Sequence, residues 1–126
     1  MHETTTFVIQ DHHSKGASKH HFDFRIKKDK VLKSWAIPKH KFPDKGERLM
    51  AVQVPDHDLD WEDFRGEILT GYGRGKVEIH DKGTCIILQW SDNKIGFQLK
   101  GSKIRGTFWL IRMVKEKRTW LLLRSS

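Results

Sequence analysis

One short run, His21-Phe22-Asp23-Phe24-Arg25, combines three side chains that can do chemistry with two that belong in a core. In an extended strand, side chains alternate between two faces, so His21, Asp23 and Arg25 would share one face and the phenylalanines the other. Imidazole and carboxylate groups are ligands for transition metals, and a guanidinium group grips phosphate. The spacing therefore predicts a metal-dependent enzyme that acts on a phosphate ester.

Two more histidines, His12 and His13, precede this strand across a short polar loop over residues 14–19. A hairpin could bring one of them beside His21, but the choice between them depends on a register that the sequence does not give. Two histidines and one carboxylate leave coordination positions open, which suits Mn²⁺, Fe²⁺ or Zn²⁺. A structural zinc site would need four protein ligands, usually with cysteines, and this chain has one cysteine.

His57 is a further candidate, in an acidic stretch over residues 55–61 that directly follows a predicted strand. The neighbouring carboxylates are expected to raise the pKa of His57, which suits a proton donor or a second phosphate contact. The glycine-rich run over residues 71–75 resembles a phosphate cradle, but it neither follows a parallel strand nor opens a helix. A tight turn is the better interpretation of that run.

Short alternating runs dominate the chain, and helical periodicity is scarce. Turn residues, including Asp81-Lys82-Gly83, separate the runs, and residues 58–64 fit one helical turn. Many short strands with tight connections predict an all-β fold, a single compact antiparallel β-barrel or sandwich domain over residues 1–126. The predicted strands cover residues 5–10, 20–27, 31–37, 48–54, 66–69, 75–80, 84–89, 95–100, 107–113 and 119–123.

Charge and composition indicate the class of partner. The net charge is +8, from 24 Lys and Arg against 16 Asp and Glu, which favours a polyanion such as nucleic acid. The one cysteine, Cys85, lies in an apolar run and is predicted to be a buried, inert thiol. No run approaches the roughly 20 apolar residues of a membrane helix, and no signal peptide is visible, so a cytoplasmic location is expected by default.

Several motifs resemble the 3′-phosphoesterase domain of bacterial DNA ligase D, which also occurs as a stand-alone protein in bacteria and archaea. The resemblance covers nearly the whole chain and implies a compact β-barrel with Mn²⁺ as its metal, or another divalent ion such as Co²⁺ or Zn²⁺. The motifs are FVIQDH at residues 7–12, HFDFR at 21–25, VLKSWAIPK at 31–39, RL and AVQV within 48–54, DHDLD at 56–60, FRG at 64–66, and the stretches 106–112 and 120–122.

Members of this family repair the 3′ ends of primer strands on a primer–template. The resemblance implies two reactions, phosphodiesterase removal of a 3′-terminal ribonucleoside and phosphomonoesterase removal of a 3′-phosphate, which together leave a 3′-OH for ligation. The partners implied are DNA, a DNA ligase and an end-binding protein. The chain itself is expected to be a monomer. The site residues implied are metal ligands His12, His21 and Asp23, phosphate contacts Arg25 and His57 (His57 also a general acid), basic positions Lys39 and Arg48, and a polar position, Gln10.

Two positions depart from the family pattern. The family separates its first two histidines by six residues, whereas His12 and His21 are nine apart, which keeps His13 open as a ligand. Trp61 stands where the family has a tyrosine, and an indole cannot act as a phenol, so the two activities are expected to change unequally. The alternative hypotheses are a non-catalytic nucleic-acid-binding β-barrel, with Trp61 and Tyr72 stacking on bases, and a phosphatase for small esters.

Overall fold

The computed structural model describes residues 2–15, 20–69 and 74–126. Within these residues the chain forms nine β-strands and one short 3₁₀ helix, Leu59–Asp63. The strands are β1 (Glu3–Ser14), β2 (His21–Lys28), β3 (Val31–Ile37), β4 (Arg48–His57), β5 (Gly66–Ile68), β6 (Gly75–Trp90), β7 (Lys94–Gly101), β8 (Arg105–Arg112) and β9 (Thr119–Arg124).

Eight of these strands close into an antiparallel barrel. The order around the ring is β1-β2-β3-β4-β9-β8-β7-β6, and β6 returns to pair with β1, while β5 adds to the first part of β6. The predicted all-β barrel, with no more than a short helical turn, is confirmed. In the described part of the chain, no helix is long and apolar enough to cross a membrane.

An aromatic core fills the barrel and holds β2 in place. Phe24 stacks on Phe97 with ring centres 5.4 Å apart, and Phe42 packs edge-on against both Phe24 and Phe108 at 5.2 and 5.1 Å. Phe22 and Phe24 belong to the buried core, as the alternation in β2 predicted. Because these rings face inward, the alternate residues of β2 face outward.

Three local predictions have definite outcomes. The helical turn predicted over residues 58–64 is confirmed as the 3₁₀ helix. Strand β1 is longer than predicted and extends to Ser14, so that His12 and His13 lie on the strand. Cys85 is fully buried in β6, and burial raises the pKa of its thiol to about 12, with the charge of Glu3 adding to the effect.

The turn predicted at Asp81-Lys82-Gly83 is wrong, because the two strands predicted around it are one strand, β6. Gly83 serves a close approach between strands, since a Cβ atom there would lie 2.3 Å from the carbonyl oxygen of Lys100 on β7. Asp81 is buried, and its carboxylate serves the turn between β7 and β8. That carboxylate accepts hydrogen bonds of 2.7 to 3.0 Å from the backbone N–H groups of Lys82, Ser102, Lys103 and Ile104.

We expect Asp81→Ala to lower the free energy of unfolding by about 2 kcal/mol, because the turn N–H groups lose a charged acceptor. Urea unfolding followed by tryptophan fluorescence measures the change. The matched control is Asp92→Ala, which removes an exposed carboxylate from the turn between β6 and β7. Equal midpoints for the two variants would contradict the role given to Asp81.

Candidate metal and phosphate site

The outward face of the β1–β2 pair carries most of the residues singled out from the sequence. In the antiparallel register, His12 lies opposite His21, and Gln10 lies opposite Asp23. Directly opposite residues share a face, so two strands bring these four polar side chains together. The polar region starts on β1 just after a bulge in the β1–β6 pairing, where β6 carries an extra residue opposite Ile9 and Gln10.

The carboxylate of Asp23 is the centre of the cluster. Nδ1 of His12 lies 3.3 Å, and Nε2 of His21 lies 3.2 Å, from Oδ2 of Asp23. Burial alone would raise the pKa of Asp23, but the hydrogen bonds from the two imidazoles and the charge of Arg25 lower it well below its usual range. The carboxylate of Asp23 is therefore ionised at physiological pH.

The donor set of His12, His21 and Asp23 fits a divalent transition metal. One nitrogen or oxygen from each residue lies within 4.8 Å of the other two. Ligands placed about 2.1 Å from a tetrahedral ion are about 3.4 Å from one another, close to the separations from Oδ2 of Asp23. The structure brings His12, and not His13, together with His21 and Asp23.

Arg25 lies beside this cluster and is almost completely buried, with 4% of its surface exposed. Nη2 of Arg25 is 3.8 Å from Oδ2 of Asp23, and Nε donates a 2.7 Å hydrogen bond to Oε1 of Gln10. Burial lowers the pKa of Arg25 and the Asp23 carboxylate opposes that shift, but a guanidinium group remains charged in either case. The site therefore holds a fixed positive charge next to the candidate metal ligands.

Gln10 connects Arg25 to the segment that covers the site. Its side chain is fully buried, and Nε2 donates to the backbone oxygens of Trp61, at 2.8 Å, and Phe64, at 3.1 Å. Both ends of the amide are therefore engaged by the protein. The sequence indicated a polar position here, but it carried no signal for these two long-range contacts.

His57 contacts Arg25 from the end of β4. Its Nδ1 atom lies 3.1 Å from Nη1 of Arg25 and 2.9 Å from the backbone oxygen of Pro55. Burial and the charge of Arg25 lower the pKa of His57, and together they exceed the opposing effects of Pro55 and the acids. The expectation of a raised pKa for His57 is therefore wrong, because burial and the charge of Arg25, which is distant in sequence, outweigh the carboxylates.

Trp61, from the 3₁₀ helix, packs over both of these residues. The guanidinium carbon of Arg25 lies 5.6 Å from the centre of the indole ring, within the range of a cation–π contact. The ring of His57 is edge-on to Trp61, with centres 5.3 Å apart. The indole therefore restrains the two candidate phosphate-binding side chains. The sequence showed only that tryptophan replaces the family's tyrosine at this position and did not reveal this role.

The remaining predicted positions lie farther out. Lys39, in the turn after β3, and Arg48, at the start of β4, are exposed to solvent. Tyr72 and most of the glycine-rich run over residues 71–75 lie outside the described residues, as does most of the loop over residues 14–19. The compact group thus consists of Gln10, His12, His21, Asp23, Arg25, His57 and Trp61.

Comparison with known proteins gives one family. A family model described as the DNA ligase D 3′-phosphoesterase domain matches residues 10–112. The multifunctional non-homologous end joining proteins LigD of Mycobacterium bovis, Pseudomonas aeruginosa and Mycolicibacterium smegmatis are 39%, 37% and 33% identical to this chain over 124, 127 and 130 residues. Each alignment covers 94% of this chain but only 16%, 15% and 16% of the respective relative.

We expect Gln10→Leu to lower the free energy of unfolding by about 3 kcal/mol, because a buried guanidinium loses its acceptor and two backbone oxygens lose a donor. Urea unfolding measures this loss. Gln98→Leu is the matched control, since Gln98 is half-buried on β7 and its amide makes a long, 3.5 Å contact with Thr107. The control should change stability by less than about 0.5 kcal/mol, and a similar loss in both variants would contradict the bridging role.

Proposed function

This chain belongs to the DNA ligase D 3′-phosphoesterase family, and from that premise and the geometry of the site we propose that it is a metal-dependent phosphoesterase that heals DNA 3′ ends. The whole chain would act as one phosphoesterase domain. Its two reactions would remove a 3′-terminal ribonucleoside by phosphodiester cleavage and a terminal 3′-phosphate by monoester cleavage. The observation that supports this best is the convergence of His12 and His21 on the ionised Asp23, directly beside the buried Arg25.

The metal proposed for this site is Mn²⁺, with Co²⁺ or Zn²⁺ as substitutes, held by His12, His21 and Asp23. When bound, such an ion polarises a phosphoryl oxygen and neutralises the charge that develops during hydrolysis. Two imidazoles and one carboxylate leave coordination positions for a phosphate oxygen. The low pKa of Asp23 keeps this ligand ionised without the ion.

Arg25 is proposed to bind the scissile phosphate. Gln10 occupies its Nε atom and Trp61 covers a face of the guanidinium, so the side chain is held in one orientation before substrate arrives. Nη2 lies beyond hydrogen-bond distance of Asp23 and can donate to a phosphate oxygen. In this account Gln10 is a positioning residue rather than a phosphate contact.

His57 is proposed to protonate the leaving oxygen. When Nδ1 donates its hydrogen to the backbone oxygen of Pro55, the ring is oriented and Nε2 is left to exchange a proton. Without substrate, burial and the charge of Arg25 lower the pKa of His57 and so favour its neutral form. A bound phosphate group, with one negative charge in the diester and up to two in the terminal monoester, opposes that effect and favours the imidazolium form.

DNA is the proposed substrate, and basic residues would hold the strand that flanks the reacting end. The net charge of +8 and the exposed Lys39 and Arg48 support contacts to the phosphate backbone, which makes binding dependent on salt. The relatives are named as non-homologous end joining proteins, so we propose a role in end processing during that repair. A DNA ligase and an end-binding protein are the proposed partners.

The alternative of a non-catalytic binding module has less support. That hypothesis needs Trp61 as a stacking platform, but the indole already packs against Arg25 and His57. A half-buried ring with these contacts is better suited to restrain the site than to stack on a base.

We expect Asp23→Asn to lower turnover by roughly 100-fold or more, because the variant removes the charged ligand at the centre of the site. The measurement is a gel assay on a labelled primer–template that ends in one ribonucleotide or in a 3′-phosphate, with Mn²⁺ or with EDTA. Asp92→Ala is the control and should process both ends at the wild-type rate. Full activity of Asp23→Asn, or processing in EDTA, would overturn the proposal.

We expect His57→Ala to slow removal of a 3′-terminal nucleoside by about 100-fold or more. Removal of nitrophenol from a DNA strand whose 3′-phosphate is esterified with nitrophenol should slow by less than about tenfold. The reason is that nitrophenolate is a weak base and leaves without a proton donor. Arg25→Ala is the control, because losing a phosphate contact should slow both substrates to a similar extent. If His57→Ala also slows both equally, the residue is a phosphate contact and not an acid.

A further inference from the structure

A second group of side chains lies on the opposite face of β1. Asp11 and His13 alternate with Gln10 and His12 along the strand, and they therefore point away from the site described above. Asp11 lies opposite Phe22, a core residue of β2, at the end of the barrel. Nothing in the proposed reaction uses this group.

Three imidazoles converge on one oxygen of Asp11. Nε2 of His20 is 2.6 Å, Nε2 of His40 is 2.8 Å, and Nε2 of His13 is 3.3 Å from Oδ1 of Asp11. The rings are also in mutual contact, with the centres of His13 and His20 3.9 Å apart and those of His20 and His40 3.5 Å apart. Three ring nitrogens therefore surround one carboxylate oxygen.

Hydrogen bonding alone is a poor explanation for this arrangement. The hydrogen bonds from His20 and His40 already use the two lone pairs of Oδ1 of Asp11, so the imidazole of His13 has no further hydrogen bond to gain there. A cation placed among the four groups would accept one lone pair from each of them. The first site has the same construction, since Nδ1 of His12 and Nε2 of His21 meet at a single oxygen of Asp23.

The backbone around His40 is shaped to place its ring in this cluster. His40 has a φ of 56°, in the left-handed region that a residue with a Cβ atom rarely adopts. Its N–H donates to the carbonyl oxygen of Ile37 at 3.2 Å, which closes the turn after β3. The ring of Phe22 packs edge-on against His40, with centres 4.7 Å apart.

We propose that Asp11, His13, His20 and His40 form a second metal site, for a borderline transition-metal ion such as Zn²⁺, Co²⁺ or Ni²⁺. Three imidazole nitrogens and one carboxylate oxygen suit these ions rather than Mg²⁺ or Ca²⁺. One ligand atom from each of Asp11, His13 and His20 lies within 4.8 Å of the others, as at the first site. His40, whose Nε2 lies 2.8 Å from Oδ1 of Asp11, is the proposed fourth ligand. A groove lined in part by His13, His20, Lys76 and Glu78 gives an ion access from solvent.

The ligand count assigns this ion a structural role. Four protein ligands complete a tetrahedral sphere, whereas a catalytic ion keeps an open position for water or substrate. The ligands come from β1, from the residue before β2 and from the turn after β3, so the ion would fasten three segments together. His12 and Asp11 are neighbours on β1, so this ion would also restrain the end of the strand that carries the first site.

The test is a titration of the metal-free protein with Co²⁺, read by the visible absorption of tetrahedral cobalt and by the number of ions retained per chain. Wild type should hold two ions, and His20→Ala/His40→Ala should hold one, with a loss of affinity at the second site of about 100-fold or more. His2→Ala is the control histidine and should hold two. The single variant His20→Ala repeats the test with less disturbance of the fold, because the side chain of His20 is 40% exposed.

Asp23→Asn separates this inference from the proposed function. If the first and the second metal site are both correct, the variant Asp23→Asn holds one ion. The triple variant that adds His20→Ala and His40→Ala to Asp23→Asn then holds none. One ion in wild type that is lost in His20→Ala/His40→Ala but kept in Asp23→Asn would support the second site and contradict the first. Unchanged affinity and ion number in both His20→Ala and His20→Ala/His40→Ala would overturn the second site.

Discussion

The register between β1 and β2 is the constraint on which the rest of the site depends. Phe24 is locked inside the barrel by Phe42 and Phe97, so the residues on either side of it must face outward. The pairing of Gln10 with Asp23 then determines which residues of β1 stand beside the carboxylate. A slip of one residue would turn His12 inward and destroy the cluster, since every side chain of the strand would change face.

Two buried charged groups are tolerated at this site because each of them has polar or aromatic partners. Arg25 and Asp23 are both almost fully buried, and burying an isolated charge is costly. Gln10, His57 and Trp61 surround the guanidinium, and His12 and His21 surround the carboxylate. These contacts orient the same groups that the proposed reaction needs, so the stability of the fold and the arrangement of the site depend on one network.

Much of the fold and the centre of the site could be predicted from period-two alternation. That pattern placed His21, Asp23 and Arg25 on one face and gave the barrel, because both depend on local spacing. The choice of His12 over His13, the lowered pKa of His57 and the bridging by Gln10 depend on long-range pairing, which leaves no local signal. The turn predicted at Asp81 was wrong because Asp81 caps the turn between β7 and β8 and Gly83 allows close approach of β7. His40 was missed because it joins the second cluster from a turn that is distant in sequence.

The most direct test of the central claim is the anomalous diffraction of a crystal grown with Mn²⁺ and an oligonucleotide whose terminal phosphate is replaced by a non-hydrolysable phosphonate, because the 3′-phosphate itself would be cleaved. The account predicts a manganese peak about 2.0 to 2.3 Å from Nδ1 of His12, Nε2 of His21 and Oδ2 of Asp23. It also predicts that the terminal phosphonate bridges this ion and the guanidinium of Arg25. A manganese ion elsewhere, or a phosphonate bound away from Arg25, would contradict the account.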